Sequence, residues 1–264
     1  MTKPTAKPKS EYAIQTVQNA LRLLEAFDHE VELGVSELSR RLDLHKNNVF
    51  RLLATLEQSG YIEQCSDSDR YRLGVRCLEL GRAYERGFDL LSSARRVLQR
   101  LAVELGETAH IAVLQDFEVV HLHGEEPSQT VFCVRRTGQR MPAHCTALGK
   151  VLLAASGDEV LQRYDRDHVS RGALSAHRER TIVDREKLFE HLRSVAVQGF
   201  ALDLEEYELG LCCAAAPVYD GVGQLQAAVS VSGPSFRLSE DRILDEIVPA
   251  ITQAAQGLGR GLGG

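Results

Sequence analysis

An α+β fold in two parts is what this sequence predicts, on three observations. Residues 35–73 follow one another as helix, tight turn, helix and two short strands. Beyond Gly74 the pattern returns to a mixture of short strands and helices, and apolar residues at helical spacing bridge the two stretches.

The N-terminal part is built in order. Ile14, Val17, Leu21, Leu24 and Phe27 recur at helical spacing and predict a first helix. A second is expected to start at Ser36, whose hydroxyl can cap free N–H groups, and to bury Leu38 and Leu42. Asp43 and Leu44 make the turn. The third helix, 45–59, puts Val49, Leu52, Leu53 and Leu56 on one face and stops at Gly60. Its other face carries Lys46, Asn47, Asn48 and Arg51 within two turns. Strands at 61–64 and 71–73 are joined by the turn-forming run Ser66-Asp67-Ser68-Asp69. This is the order of a winged helix-turn-helix, whose last helix is presented to the major groove of double-stranded DNA. Lys, Arg and Asn near the start of that helix are the side chains that pair with base edges. Ser36, Lys46, Asn47, Asn48, Arg51, Arg70 and Arg72 are therefore the expected DNA contacts, with the two wing arginines on phosphates or in the minor groove.

Composition narrows the class. The 264 residues are 44% hydrophobic, enough for two cores, and carry a net charge of −6. Residues 1–75 hold ten Lys/Arg against eleven Asp/Glu, so the positive charges are placed rather than abundant. That excludes a protein that coats nucleic acid through bulk charge. The acids Glu25, Asp28, Glu30 and Glu32 are expected to face away from the phosphates. No stretch approaches the ~20 apolar residues of a membrane span, and no apolar run follows the N-terminal lysines. The expectation is a cytoplasmic chain with no membrane partner. Its six cysteines, Cys65, Cys77, Cys133, Cys145, Cys212 and Cys213, lack a Cys-x-x-Cys pair and are expected as reduced thiols. The Lys- and Pro-rich residues 1–10 are expected as a flexible arm, and the Gly-rich C-terminal tail should fray.

A winged-helix domain at 11–74 is followed by a linker helix at 75–88, with Cys77, Leu78, Leu80 and Ala83 as its apolar positions. The boundary is placed near Gly87, and the second domain occupies 89–264. Leu91, Ala94, Val97, Leu98, Leu101 and Ala102 trace one face of its first helix. Strands are predicted at 109–114, 119–123, 131–135, 199–203, 213–219 and 225–231, and helices at 146–155, 158–164, 184–197 and 239–256.

These residues resemble the IclR family of bacterial transcriptional regulators over about residues 11–257. The N-terminal likeness rests on Leu38-Ser39 to Leu44, Val49-Phe50-Arg51-Leu52-Leu53, Gly60-Tyr61 and Tyr71-Arg72-Leu73-Gly74. The C-terminal likeness rests on Ala147-Leu148-Gly149-Lys150, Asp203-Leu204-Glu205-Glu206, Gly210, Cys213, Ala216-Pro217-Val218 and Ser230-Val231-Ser232-Gly233-Pro234. Where the family commonly has Pro-Lys-Ser-Thr at the start of the recognition helix, this chain has His45-Lys46-Asn47-Asn48, so no operator sequence carries over. The resemblance implies a GAF-like effector-binding domain, homodimers through the N-terminal domains that often pair into tetramers, and a partly palindromic operator.

It also implies an effector site. Thr146, Ala147, Leu148 and Gly149 open a helix whose N–H groups and dipole favour an anion. Across from them the resemblance places Asp203, Leu211, Cys213 and Ala215 on one strand region and Ser230 and Ser232 on the next. Spacings of two put Leu211, Cys213 and Ala215 on one face of a strand, and Ser230 and Ser232 on one face of the next. With Met141 they make a mostly apolar pocket with a few polar groups, suited to a small organic acid whose carboxylate takes the N–H groups of Ala147 to Gly149. Glu205 and Glu206 are read as structural or surface charges. Gly149-Lys150 is not a phosphate loop, because His144 and Val151 stand at that motif's Gly and Ser/Thr positions. The competing class is a metal- or thiol-dependent enzyme. His121 and His123, two apart on a strand, would share a face and join Cys145 or Cys213. No local signature supports a catalytic cysteine, and neither a metal nor a cofactor is expected.

Overall fold

The computed structural model describes residues 13–262 except 29, 88 and 131, so the arm at 1–10 lies outside the described residues. The chain divides into two compact units, Met1–Gly87 and Phe88–Gly264.

The first unit runs α1 (Gln15–Glu25), β1 (Leu33–Gly34), α2 (Val35–Leu42), α3 (Lys46–Gln58), β2 (Ile62–Gln64), β3 (Arg70–Leu73) and α4 (Val75–Arg86). Its strands form an antiparallel sheet in the order β1-β3-β2. The short β1, which no periodicity announced, completes the wing. Leu23, Leu38, Val49, Leu53 and Ile62 are buried at its centre. Asp43 turns the chain between α2 and α3 in a left-handed conformation (φ 54°). There the Ser39 hydroxyl donates to the Leu44 carbonyl at 2.6 Å.

Two expectations are corrected here. Ser36 does not cap α2. The helix starts one residue earlier, with Gly34 at its N-cap, and the Gly34 N–H donates to the Glu37 carboxylate at 2.9 Å. Ser36 is an exposed first-turn residue. The apolar residues that announce α1 also do not all face the core. Leu23 and Phe27 are buried, whereas Ile14, Val17 and Leu21 are 65%, 53% and 54% exposed. Of the residues read from the sequence, Leu24 and Phe27 pack on the core and the other three do not, while Leu23, outside that set, is buried. On α4 no described residue is buried, and Val75, Leu78, Leu80 and Tyr84 are more than half exposed.

The second unit is a six-stranded antiparallel sheet, ordered β6-β5-β4-β9-β8-β7, between two layers of helices. The strands are β4 (Thr108–Gln115), β5 (Glu118–Glu125), β6 (Arg140–Pro142), β7 (Ala201–Leu204), β8 (Leu211–Tyr219) and β9 (Leu225–Pro234). One face packs on α5 (Asp89–Leu105) and on a C-terminal helix of three parts: α9 (Glu240–Arg242), a π-helical turn (Ile243–Ile247) and α10 (Val248–Arg260). The other packs on α6 (Ala147–Ala155), α7 (Asp158–Asp167) and α8 (Arg185–Gln198). Ala214 and Ala216 face the first layer and Ala215 the second, so β8 is apolar on both sides rather than alternating.

The strand expected at 131–135 is not formed. Residue 131 is outside the described residues and 132–135 have no regular structure. The third strand of this meander is β6, nine residues later. The shared face of His121 and His123 is also overturned. Ile111 pairs with His123 and Ala112 with His121, which leaves Leu122 as an extra residue in a bulge. His121 therefore looks to the α6 side with Ala112, and His123 to the opposite side with Ile111. The His123 ring engages Glu125 at 2.8 Å.

Candidate DNA-recognition surface and effector cavity

On α3 the buried residues Val49, Leu52 and Leu53 fix the helix against the core of the first unit. Lys46, Asn47, Asn48 and Arg51 are all exposed. Asn47 and Arg51 are one turn apart, at the centre of the face opposite that core. Phe50, 56% exposed, lies beside them. It is an apolar group of the kind that meets a thymine methyl, and hydrophobic periodicity gave no reason to single it out.

The wing arginines are differently placed from expectation. Arg70 is not left free for phosphate. Its guanidinium pairs with Glu37 at 2.8 Å and donates to the Glu32 carbonyl at 2.9 Å, tying the wing to α2. Arg72 pairs with Glu63 at 3.1 Å across the wing, and Arg41 with Glu30 at 2.8 Å. These exposed pairs neutralise Glu30, Glu37 and Glu63. Among the described residues, Lys46 and Arg51 have no such acidic partner.

In the second unit a small cavity, of about 30 Å³, lies between the sheet and the start of α6. Sheet register builds its floor. Asp203 opposes Cys213, Cys213 opposes Ser232, and Ser232 opposes Thr108, making one cross-strand row. The next row is Ala215, Ser230, His110 and Gly124. Residues paired this way share a face. Gly124 is required in that row, since a Cβ there would stand 2.8 Å from the His110 ring. Met141, Thr146, Ala147, Leu148, Tyr207 and Leu211 complete the lining with Cys133 and Arg136.

The cavity thus gathers Met141, Thr146, Ala147, Leu148, Asp203, Leu211, Cys213, Ser230 and Ser232, all anticipated, but not Gly149 or Ala215. Gly149 serves packing: a Cβ would meet the Ala143 backbone at 2.3 Å, and its N–H donates to the Thr146 side chain at 3.2 Å. The α6 N-terminus therefore does not offer all three expected N–H groups. Ala215 is fully buried in the apolar cluster. His110, Cys133, Arg136 and Tyr207 were not anticipated for it, and His121 was read only as a candidate metal ligand. Only the His110–Gly124 pairing had a sequence trace, in two residues whose register could not be known beforehand.

Charge is arranged around the cavity. Burial, then the neighbouring imidazole, pushes His110 down to about 3, and burial, then Arg136, pushes His121 down to about 4, so both are neutral at neutral pH. Their rings meet edge-on at 5.3 Å. Both His110 nitrogens, His121 Nδ1 and the Ser230 hydroxyl are buried with no hydrogen-bond partner. The Val134 and Gln139 backbones lie near the two rings and oppose the downward shifts. Arg136, the cation of the lining, pairs with Glu208 at 2.7 Å and stands 6.0 Å from the Tyr207 ring. Asp203 accepts the Glu206 N–H at 2.8 Å, and burial lifts its carboxyl to about 7. Glu206 is no surface charge: it pairs with Lys150, which is completely buried.

A family model described as the bacterial transcriptional regulator IclR C-terminal domain matches residues 82–260, and the IclR helix-turn-helix domain matches residues 16–66. The chain belongs to the IclR family. It is 35% identical to the HTH-type transcriptional regulator KdgR of Escherichia coli, over 97% of this chain and 95% of that protein. It is 33% identical to the regulator XynR of the same organism, over 95% and 98%. The crystal structure of the Thermotoga maritima IclR superposes with a TM-score of 0.74 at 27% identity, covering 96% of this chain and 100% of that one. An IclR homolog from Microbacterium hydrocarbonoxydans, complexed with 4-hydroxybenzoate, superposes with a TM-score of 0.79 at 25% identity, covering 92% and 97%. The IclR chain described here is thus a DNA-binding transcriptional regulator rather than an enzyme. No helix among its described residues is long and apolar enough to cross a membrane.

Asp203 gives this cavity a pH signature. Its carboxyl sits at about 7 in the fold against an ordinary 3.8, so the fold favours the neutral acid. The group's contribution is fully present below about pH 4 and is lost as pH rises through about 7. Asp203→Asn keeps the acceptor oxygen and stays neutral throughout. Its stability relative to the parent should rise between about pH 5 and about pH 8, by an amount on the order of a few kcal/mol. Denaturation of both proteins at the two pH values checks this; an unchanged difference contradicts it.

Proposed function

We propose that this IclR regulator is a one-component cytoplasmic sensor of a small organic acid. In this reading two winged helices of a homodimer read a partly palindromic operator in double-stranded DNA. Effector binding changes their spacing or orientation through the linker helices. The exposed apolar stripes of α1 (Ile14, Val17, Leu21) and α4 (Val75, Leu78, Tyr84) supply surface for the dimer, and dimers pair further into tetramers. Operator contacts fall to Lys46, Asn47, Asn48 and Arg51, with Ser36 at the backbone and Arg72 secondary because of Glu63.

One observation carries the effector assignment: buried, unpartnered polar atoms surround a cavity whose lining holds a single cation. Unpaired buried groups are costly and invite a ligand that pairs them. Arg136 is the better carboxylate partner than the α6 N-terminus, because its fork of five donors keeps N–H groups beyond the one given to Glu208, while the single N–H of Gly149 is already bonded. His110, Ser230 and Ser232 then hold hydroxyl or keto oxygens, and Met141, Leu148 and Leu211 line the apolar remainder. The benzoate complex of the Microbacterium homolog, an acid with a hydroxyl, is consistent with this chemistry.

Arg51→Ala is expected to weaken binding to a duplex selected by the parent protein by about 1–3 kcal/mol, without loss of stability. Fluorescence anisotropy reads the affinity, and a value within about twofold of the parent removes Arg51 from the interface. For the cavity, a thermal-shift screen of hydroxy and keto acids should find a stabilising ligand. Arg136→Gln should weaken it by roughly tenfold or more, the worth of a charge-assisted pair, and leave ligand-free operator binding intact. A ligand that ignores both Arg136→Gln and Ser232→Ala binds elsewhere.

A further inference from the structure

Outside the lining of the cavity, three soft donors come together. His144 and Cys145 end the loop that enters α6, and His177 belongs to a stretch without helix or strand at 173–177. Ligand atoms of the three lie within 4.8 Å of one another. His144 is 1% exposed, Cys145 is fully buried, and His177 is half-buried, which leaves a way in from solvent.

The protonation of His144 is fixed by its neighbour. Nε2 lies 3.0 Å from the Ser175 carbonyl oxygen, which can only accept, so Nε2 carries the hydrogen and donates it. The lone pair is left on Nδ1, which is buried and has no hydrogen-bond partner. An imidazole held by a backbone carbonyl on one nitrogen and bare on the other is the arrangement that supports metal-bound histidines. His177 is also held: the Thr181 hydroxyl accepts the N–H groups of His177 at 3.1 Å and Arg178 at 2.8 Å, and donates to the Glu206 carbonyl at 2.6 Å.

We infer that His144, Cys145 and His177 form a zinc site, three protein ligands with a fourth position open to water. Two imidazoles and one thiolate are a donor set that zinc takes in tetrahedral geometry. On binding, the Cys145 thiol proton leaves to solvent and the sulfur becomes the anionic ligand. The metal would pin the 173–177 stretch to the entry of α6. That entry carries Thr146, Ala147 and Leu148 over the effector cavity, and the His177 ring packs at 5.0 Å on Tyr207, another lining residue. The site is a pin for the roof of the cavity, separate from the carboxylate-binding lining, and stands whether or not an acid is the effector.

Cobalt(II) reports the ligands directly. The full chain, reduced and stripped with a chelator, should bind a single cobalt with thiolate charge-transfer absorption and the visible bands of a tetrahedral site, both lost on adding zinc. Cys145→Ser and His177→Ala should each abolish these bands, and Cys213→Ser should keep them. If Cys145→Ser fails to fold, His177→Ala carries the test, since its side chain is only half-buried. Absence of the bands from the parent overturns the site. So does a spectrum that survives His177→Ala, or one lost in Cys213→Ser but kept in Cys145→Ser, which places the metal in the effector cavity.

Discussion

A lysine with no solvent exposure sits at the start of α6, and the effector half of this molecule is arranged around the acid that answers it. An ammonium removed from water is tolerated only against a close opposite charge, and Lys150 has Glu206. Burial pushes the Glu206 carboxyl up while Lys150 pulls it down, so the pair is held in opposition to its own desolvation. Three segments meet there. Lys150 belongs to α6, whose first residues roof the cavity. The Glu206 N–H fixes Asp203 at the end of the cross-strand row, and the Glu206 carbonyl receives the Thr181 hydroxyl, which sets the turn bearing His177. Gly149 completes the arrangement by letting α6 touch the Ala143 backbone.

In the DNA-binding unit the governing device is selective neutralisation. An overall acidic balance looks unsuited to a polyanion. Glu30, Glu32, Glu37 and Glu63 are occupied by Arg41, Arg70 and Arg72, while Lys46 and Arg51 in the first two turns of α3 stay without an acidic partner among the described residues. Pairs of this kind contribute little stability when exposed, and here their larger effect is on the field the DNA meets.

Much of this was legible because it is periodic. Val49, Leu52 and Leu53 announced α3 and thereby its outer face, and spacing by two placed Ser230 and Ser232 together opposite Cys213. What stayed hidden depends on partners distant in the chain. Arg70 meets Glu37 across 33 residues, and Arg136 reaches the cavity from a segment with no repeating pattern. The bulge at Leu122, which separates His121 from His123, has no signature in alternating side chains. On α1, Leu21 and Leu23 are both apolar, and only packing against α2 and α3 chooses Leu23 over Leu21.

The dependence of the second unit on its buried ion pair is tested most directly by a double-mutant cycle of Lys150→Met and Glu206→Gln, read by chemical denaturation at neutral pH. Each single change leaves one buried group without its partner and should cost about 3–5 kcal/mol. The double variant should recover a large part of that loss, giving a coupling of about 2 kcal/mol or more. Costs that simply add, within about 0.5 kcal/mol, would show that Lys150 and Glu206 act independently and that the cavity is held by something else.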